Sequence, residues 1–255
     1  NCLVTITTLD ALPKISRGAL LDIDTDFFSF SNALSESHIR DTMPWDPHHV
    51  CSLLTERVPA PSAISISTSI SGGFLPVAFR FISDGCFEFF SSGIYPEDAR
   101  NLQQTITTMI SHPTAIPAPV EPRMQTFRPA YEHLAALSLI IKGQEDKAID
   151  CIEKASLMQP AYSKAMLDMA DAFISMGKTQ RANEMIGRYE KFTGRATSQS
   201  EAMRVRVYLA EKTLQKADQL SRKLVSWDRT PYFLMFRGGI LVEQGLLSEA
   251  LNVYS

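Results

Sequence analysis

Three glycines constrain this chain most. Gly143, Gly177 and Gly245 lie at intervals of 34 and 68 residues, and each is followed five residues later by alanine, at Ala148, Ala182 and Ala250. A small residue also stands seven places before each, at Ala136, Ala170 and Gly238. Helices that pack closely need Ala or Gly where they cross, and a tight turn between them favours Gly. In the first unit Ala155 and Pro160 continue the series, the proline ending the second helix. The period predicts helix–turn–helix units over residues 129–162, 163–196 and 197–230, with a fourth opening at Pro231 and cut short. The third unit departs from the pattern: Glu211 stands where glycine is expected, and Ala217 is one residue late.

This spacing resembles the tetratricopeptide repeat, a 34-residue helix–turn–helix with small residues where its helices touch. The resemblance implies an all-α solenoid over 129–255 whose concave groove takes a peptide or protein partner.

Residues 1–112 carry a different pattern. "CLVTITTL" is rich in β-branched residues, "GALLDIDTDFF" is apolar but for its aspartates, and "SAISISTSI" alternates from Ala63 to Ile70. "VAFRFI" and "CFEFF" extend the strand series. Between the strands, "DPHHVCSLLTERV" predicts a helix with Asp46 as N-cap and Pro47 at its first position. "YPEDARNLQQTITTMISH" predicts another, with acids in its first turn as the helix dipole prefers. Strands interleaved with helices predict an α/β domain with a partly parallel sheet. Five prolines (Pro113, Pro117, Pro119, Pro122 and Pro129) then predict a semi-rigid linker over 113–128.

Charge follows the same division. Residues 1–125 hold 7 Lys/Arg against 13 Asp/Glu, and residues 126–255 hold 18 against 15. A net charge of −3 overall makes no electrostatic case for nucleic acid or an anionic membrane. No apolar run approaches the roughly 18–20 residues that span a bilayer, and no signal peptide is visible. The four cysteines fit no C-x-x-C spacing and read as buried thiols of a reducing, cytoplasmic compartment. The chain opens on "NCLVTITTLDALP" without Met and stops within the helical "LSEALNVYS", so a fragment is expected.

"LLDIDTDFFSF" carries the chemistry. Side chains of a strand alternate faces, so Asp22, Asp24 and Asp26 are expected on one side and Ile23, Thr25 and Phe27 on the other. Three carboxylates that close repel, and the arrangement requires solvent, a Lys or Arg partner, or a bound cation. An all-oxygen ligand set suits Mn²⁺ or Mg²⁺. The bland alternative for Asp26 is a turn or helix cap at the strand's end.

"LLDIDTDFF" resembles the second aspartate motif of the arginase/deacetylase fold. Together with "RVPAPSAISISTSISGGFLP" it resembles the UPF0489 family, some members of which are peptide arginases, over about residues 1–95. The resemblance implies a partial arginase/deacetylase-like sheet and two manganese ions. Asp22 and Asp24 match the Asp-x-Asp ligand pair, with Asp26 as a third ligand or an acceptor behind it. It also implies hydrolysis of arginine side chains in peptides to ornithine and urea. Asp26 and Glu88 are candidates to orient the cationic substrate. Gly72 and Gly73 would admit close backbone approach, or simply form a turn. The fold's earlier histidine and its Asp-x-His-x-Asp strand have no counterpart in residues 1–21, whose only acid is Asp10. His48 and His49, adjacent on a helix, point about 100° apart and read as surface residues at a helix start; His38, His112 and His133 stand alone. Two functions follow: a metal-dependent C–N hydrolase that recruits peptides through its repeats, or a non-catalytic interaction scaffold.

Overall fold

The computed structural model describes residues 8–15, 18–28, 45–68, 76–112, 118–227 and 229–253. Gly72, Gly73, His38 and most of the strand expected at "CLVTITTL" lie outside them. The chain divides into two compact units, residues 1–162 and 163–255. No helix among the described residues is long and apolar enough to cross a membrane.

In the first unit β1 (Leu20–Asp24) pairs in parallel with β2 (Ala63–Ser67), Asp22 opposite Ser65 and Asp24 opposite Ser67. Between them in the chain runs α1 (Pro47–Arg57), with proline at its first position. The Asp46 carboxylate caps it, accepting from the His48 backbone N–H at 3.2 Å. A side-chain cap of this kind satisfies one of the orphan donors of a helix start.

The strands expected at "VAFRFI" and "CFEFF" are helical. A 3-10 turn at Val77–Phe79 leads into α2 (Phe81–Ser92). Phe81, Ile82, Gly85, Cys86 and Phe89 are buried, a spacing of three and four that makes one helical face, while Phe87 is exposed. Helical period therefore overrides the aromatic content that suggested strands. A Cβ on Gly85 would stand 2.7 Å from the hydroxyl oxygen of buried Tyr95, so any side chain there would force the Tyr95 ring to shift. Next comes α3 (Glu97–Ser111), with Glu97 and Asp98 in its first turn.

The described part of the proline-rich stretch, residues 118–128, lies inside the first unit. The Met124 backbone N–H donates to buried Asp98 at 2.7 Å, which ties the end of that stretch to the start of α3. Helix α3 also packs on α4 (Arg128–Ile141), and α4 on α5 (Glu145–Met158). The described part of the proline-rich segment thus fastens helices together, and the compact units divide after Tyr162.

The second unit consists of α6 (Lys164–Ser175), α7 (Thr179–Thr193), α8 (Ser198–Ala210), α9 (Leu214–Trp227), α10 (Pro231–Glu243) and α11 (Leu247–Val253). They pack as hairpins, α6 on α7, α8 on α9 and α10 on α11, with α8 also against α6 and α7 and α9 against α10. Ala202, Val205, Ala217, Leu224, Phe233 and Ile240 form one buried cluster.

The turns of all four hairpins share one backbone solution. Gln144, Lys178, Thr213 and Leu246 each donate their N–H to the carbonyl five residues back, at Leu139, Phe173, Tyr208 and Leu241, over 2.8–2.9 Å. The residue before each donor has positive φ: Gly143, Gly177, Lys212 and Gly245, at 57° to 76°. This is the Schellman closure, which needs a left-handed residue after the last helical turn. In the third hairpin that place falls to Lys212 rather than Glu211. Counted from Lys212, Ala217 is not late but five residues on, as Ala148, Ala182 and Ala250 are from their glycines. All four alanines are buried. Among the described residues Lys212 is the one non-glycine with positive φ; for an L-residue that conformation costs roughly 1–2 kcal/mol.

Candidate functional site

The aspartate strand ends sooner than its sequence suggests. Asp22 and Asp24 are exposed on β1, but Thr25–Phe28 is a 3-10 turn, so Asp26 leaves the strand geometry and is half-buried. Strand alternation therefore governs the first two carboxylates alone. The opposite side is the packed one at Ile23 and Thr25, both buried, while Phe27, expected beside them, is 48% exposed.

The Ser65 hydroxyl of β2 donates to the Asp22 carboxylate across the parallel pair. Burial first, and then the charge of the neighbouring Asp24 and a side-chain hydrogen bond with it, hold the Asp26 carboxyl above the usual carboxylate range. Two carboxylates this close favour a proton or a cation between them.

Thr25, between the two aspartates, fixes this corner. Its hydroxyl donates to the Ser67 carbonyl at 2.7 Å and lies 3.1 Å from the Ser83 hydroxyl of α2, in a buried position. One side chain thus joins the end of β1 to the end of β2 and to α2. Sequence reading passed over Thr25, Ser65 and Ser83; a threonine on the buried side of an acidic strand end was the available signal.

Glu88 lies one turn beyond Asp84 on α2, where its charge acts on Asp84. His48 is not a plain surface residue. Its ring packs 5.7 Å from Tyr95 and 6.3 Å from Phe89, and with Asp46 and Arg100 it lines an open cleft of about 590 Å³. His49 and His112 are exposed. His133 is buried, 5.6 Å from the Tyr162 ring, and its Nδ1 has no hydrogen-bond partner; burial lowers its pKa to about 4. Cys51 and Cys86 are free, buried thiols with sulfurs 3.5 Å apart, and their mutual hydrogen bond and burial push the Cys86 thiol up.

The donor chemistry of Asp22, Asp24 and Asp26 suits a hard cation. Among the described residues, however, no three His, Cys, Asp or Glu side chains form a group that could hold a metal ion.

In the second unit a polar row crosses the first helices of consecutive hairpins. Asp171 of α6 is ion-paired with Arg206 of α8, and both charges act on the Tyr232 hydroxyl of α10. Tyr232 is 52% exposed, and its ring stacks on Phe236 at 5.9 Å. A second set of pairs joins Glu190 of α7 to Arg204 of α8, and Lys223 of α9 to Glu201 of α8 at 3.0 Å.

A scan against protein-family models finds no match for this chain, and searches of curated proteins and of solved structures find none either.

Proposed function

We propose that the helical hairpins are tetratricopeptide-type repeats and that the chain works as a scaffold holding a peptide or protein partner. The recurrence of one hairpin closure in four successive units, with a buried alanine five residues on, supports this reading most. Stacked repeats offer a partner an extended surface. The Asp171–Arg206–Tyr232 row runs across three successive hairpins and combines charge with an exposed aromatic face. The test is a peptide array probed with the purified chain and with an Arg206→Glu/Tyr232→Ala variant of unchanged helical circular dichroism. Loss of the captured peptides is expected. Identical capture by both chains would overturn the reading.

A second reading is favoured by the carboxylates at the end of β1. Ligands in open α/β sheets collect at the carboxyl ends of parallel strands, and the Asp24–Asp26 pair would be relieved by a cation. On this reading Asp22, Asp24 and Asp26 are part of a two-manganese centre of the peptide-arginase type, completed by ligands outside the described residues. Calorimetric titration with Mn²⁺ alone tests it. Binding in the parent that is lost in Asp22→Ala and Asp24→Ala, with thermal stability unchanged, is expected. Equal binding in all three would sink the assignment.

A further inference from the structure

The last two hairpins enclose an opening of about 520 Å³ between α9, α10 and α11, with Arg222, Arg229 and Arg237 around it. Among the described residues, the first of these arginines alone has its charge met. Arg222 is paired with Asp218 at 2.8 Å. Among the described residues neither Arg229 nor Arg237 has an ion pair, and the Arg237 Nε is buried with no hydrogen-bond partner. Buried donors are rarely left unmade, and an unpaired buried guanidinium nitrogen is costly. Val225, Leu234 and Val253 give the same opening an apolar floor. Among the described residues, Glu249 is the one carboxylate that lines it, and its charge acts on Arg222.

We infer that this cleft binds an acidic peptide segment, its carboxylates on Arg229 and Arg237 and its apolar side chains on Val225, Leu234 and Val253. The planar fork of a guanidinium matches a carboxylate with two parallel hydrogen bonds, and an apolar floor beside it suits a chain that alternates acid and aliphatic residues. The cleft is separate from the row described above: Tyr232 and Leu234 are two residues apart on α10 and project about 200° from one another. The inference rests on the scaffold reading and gives it a ligand class.

The test is fluorescence anisotropy with the labelled, blocked peptide Glu-Leu-Glu-Glu-Leu and its counterpart Gln-Leu-Gln-Gln-Leu. The acidic peptide is expected to bind at least about tenfold tighter than its counterpart, and Arg229→Gln or Arg237→Gln to weaken it about tenfold each. Arg237→Lys, which keeps the charge but not the fork, is expected to fall between. If Arg237→Gln fails to fold, exposed Arg229 decides. Equal affinity for the two peptides, or acidic-peptide binding that survives the Arg229 and Arg237 substitutions, would overturn the cleft. In that case array capture that still depends on Arg206 and Tyr232 leaves the scaffold reading standing, whereas failure of both assays removes both.

Discussion

The hairpins of residues 128–253 and the strand pair of residues 20–67 use sequence in opposite ways. Each hairpin is closed by backbone hydrogen bonds and needs only one left-handed residue and one small one. The strand end depends on particular side chains meeting: Thr25 with Ser67 and Ser83, Asp22 with Ser65, Asp24 with Asp26. A periodic pattern can therefore specify the first kind of structure locally. Apart from the Asp24–Asp26 pair, the second kind needs residues more than forty positions apart to converge.

The largest effect that would sharpen this contrast is a pH dependence at His133. Its folded pKa of about 4 lies below the ordinary imidazole value of 6.5. Between those values the unfolded chain binds more protons, so stability is lost as pH falls through that window, by on the order of 3 kcal/mol. Denaturant titrations from pH 7 to pH 4 are expected to show that slope, and His133→Leu to flatten it.

Next in size is Ala217→Leu. It overfills a buried helix crossing and is expected to cost about 1–3 kcal/mol by urea unfolding. A neutral result would mean that the third hairpin does not pack as its neighbours do.

Smaller again is a pair of opposite changes at equivalent places. Gly177→Ala is expected to destabilise by about 1 kcal/mol, and Lys212→Gly to stabilise by a similar amount, because both positions have positive φ. Equal and like-signed shifts in melting temperature would break the equivalence of the turns.

The smallest effect compares two carboxylates. Asp26 has its pKa raised from 3.8, so the native state holds more protons there and acidification through that window favours folding. Glu184 has its pKa lowered from 4.5, chiefly by hydrogen bonds from Arg188 and Arg181, so its contribution is present at higher pH and lost as pH falls. Asp26→Asn and Glu184→Gln are expected to tilt the acid limb of the stability curve in opposite directions. Tilts of the same sign would remove the Asp24–Asp26 coupling from the account.

What could be read in advance follows from the same contrast. The Asp46 cap, Pro47 at the first turn of α1, the acids opening α3 and the glycines of three hairpin turns are local signals, and each stands where its chemistry requires. The error at "CFEFF" arose because a short aromatic run satisfies both a strand and one face of a helix; burial of Phe81, Ile82, Gly85, Cys86 and Phe89 together settles it as helix. The third hairpin misled because a lysine took the left-handed place, where residue type gives no cue. At the candidate site, the positions of Asp22 and Asp24 were legible from alternation. The early end of the strand, and the fastening of its corner by Thr25, were not, because both depend on β2 and α2.

Successive turns, taken at their positive-φ residues, are spaced 34, 35 and 33 residues apart. The extra residue before Lys212 is given back before Gly245, and the buried alanine keeps its place after each turn. The slip at Lys212 is therefore cancelled within one hairpin, and Gly245 stands where three spacings of 34 from Gly143 would put it. A hairpin of this kind accommodates one residue more or less in its spacing and still keeps its turn and its buried alanine.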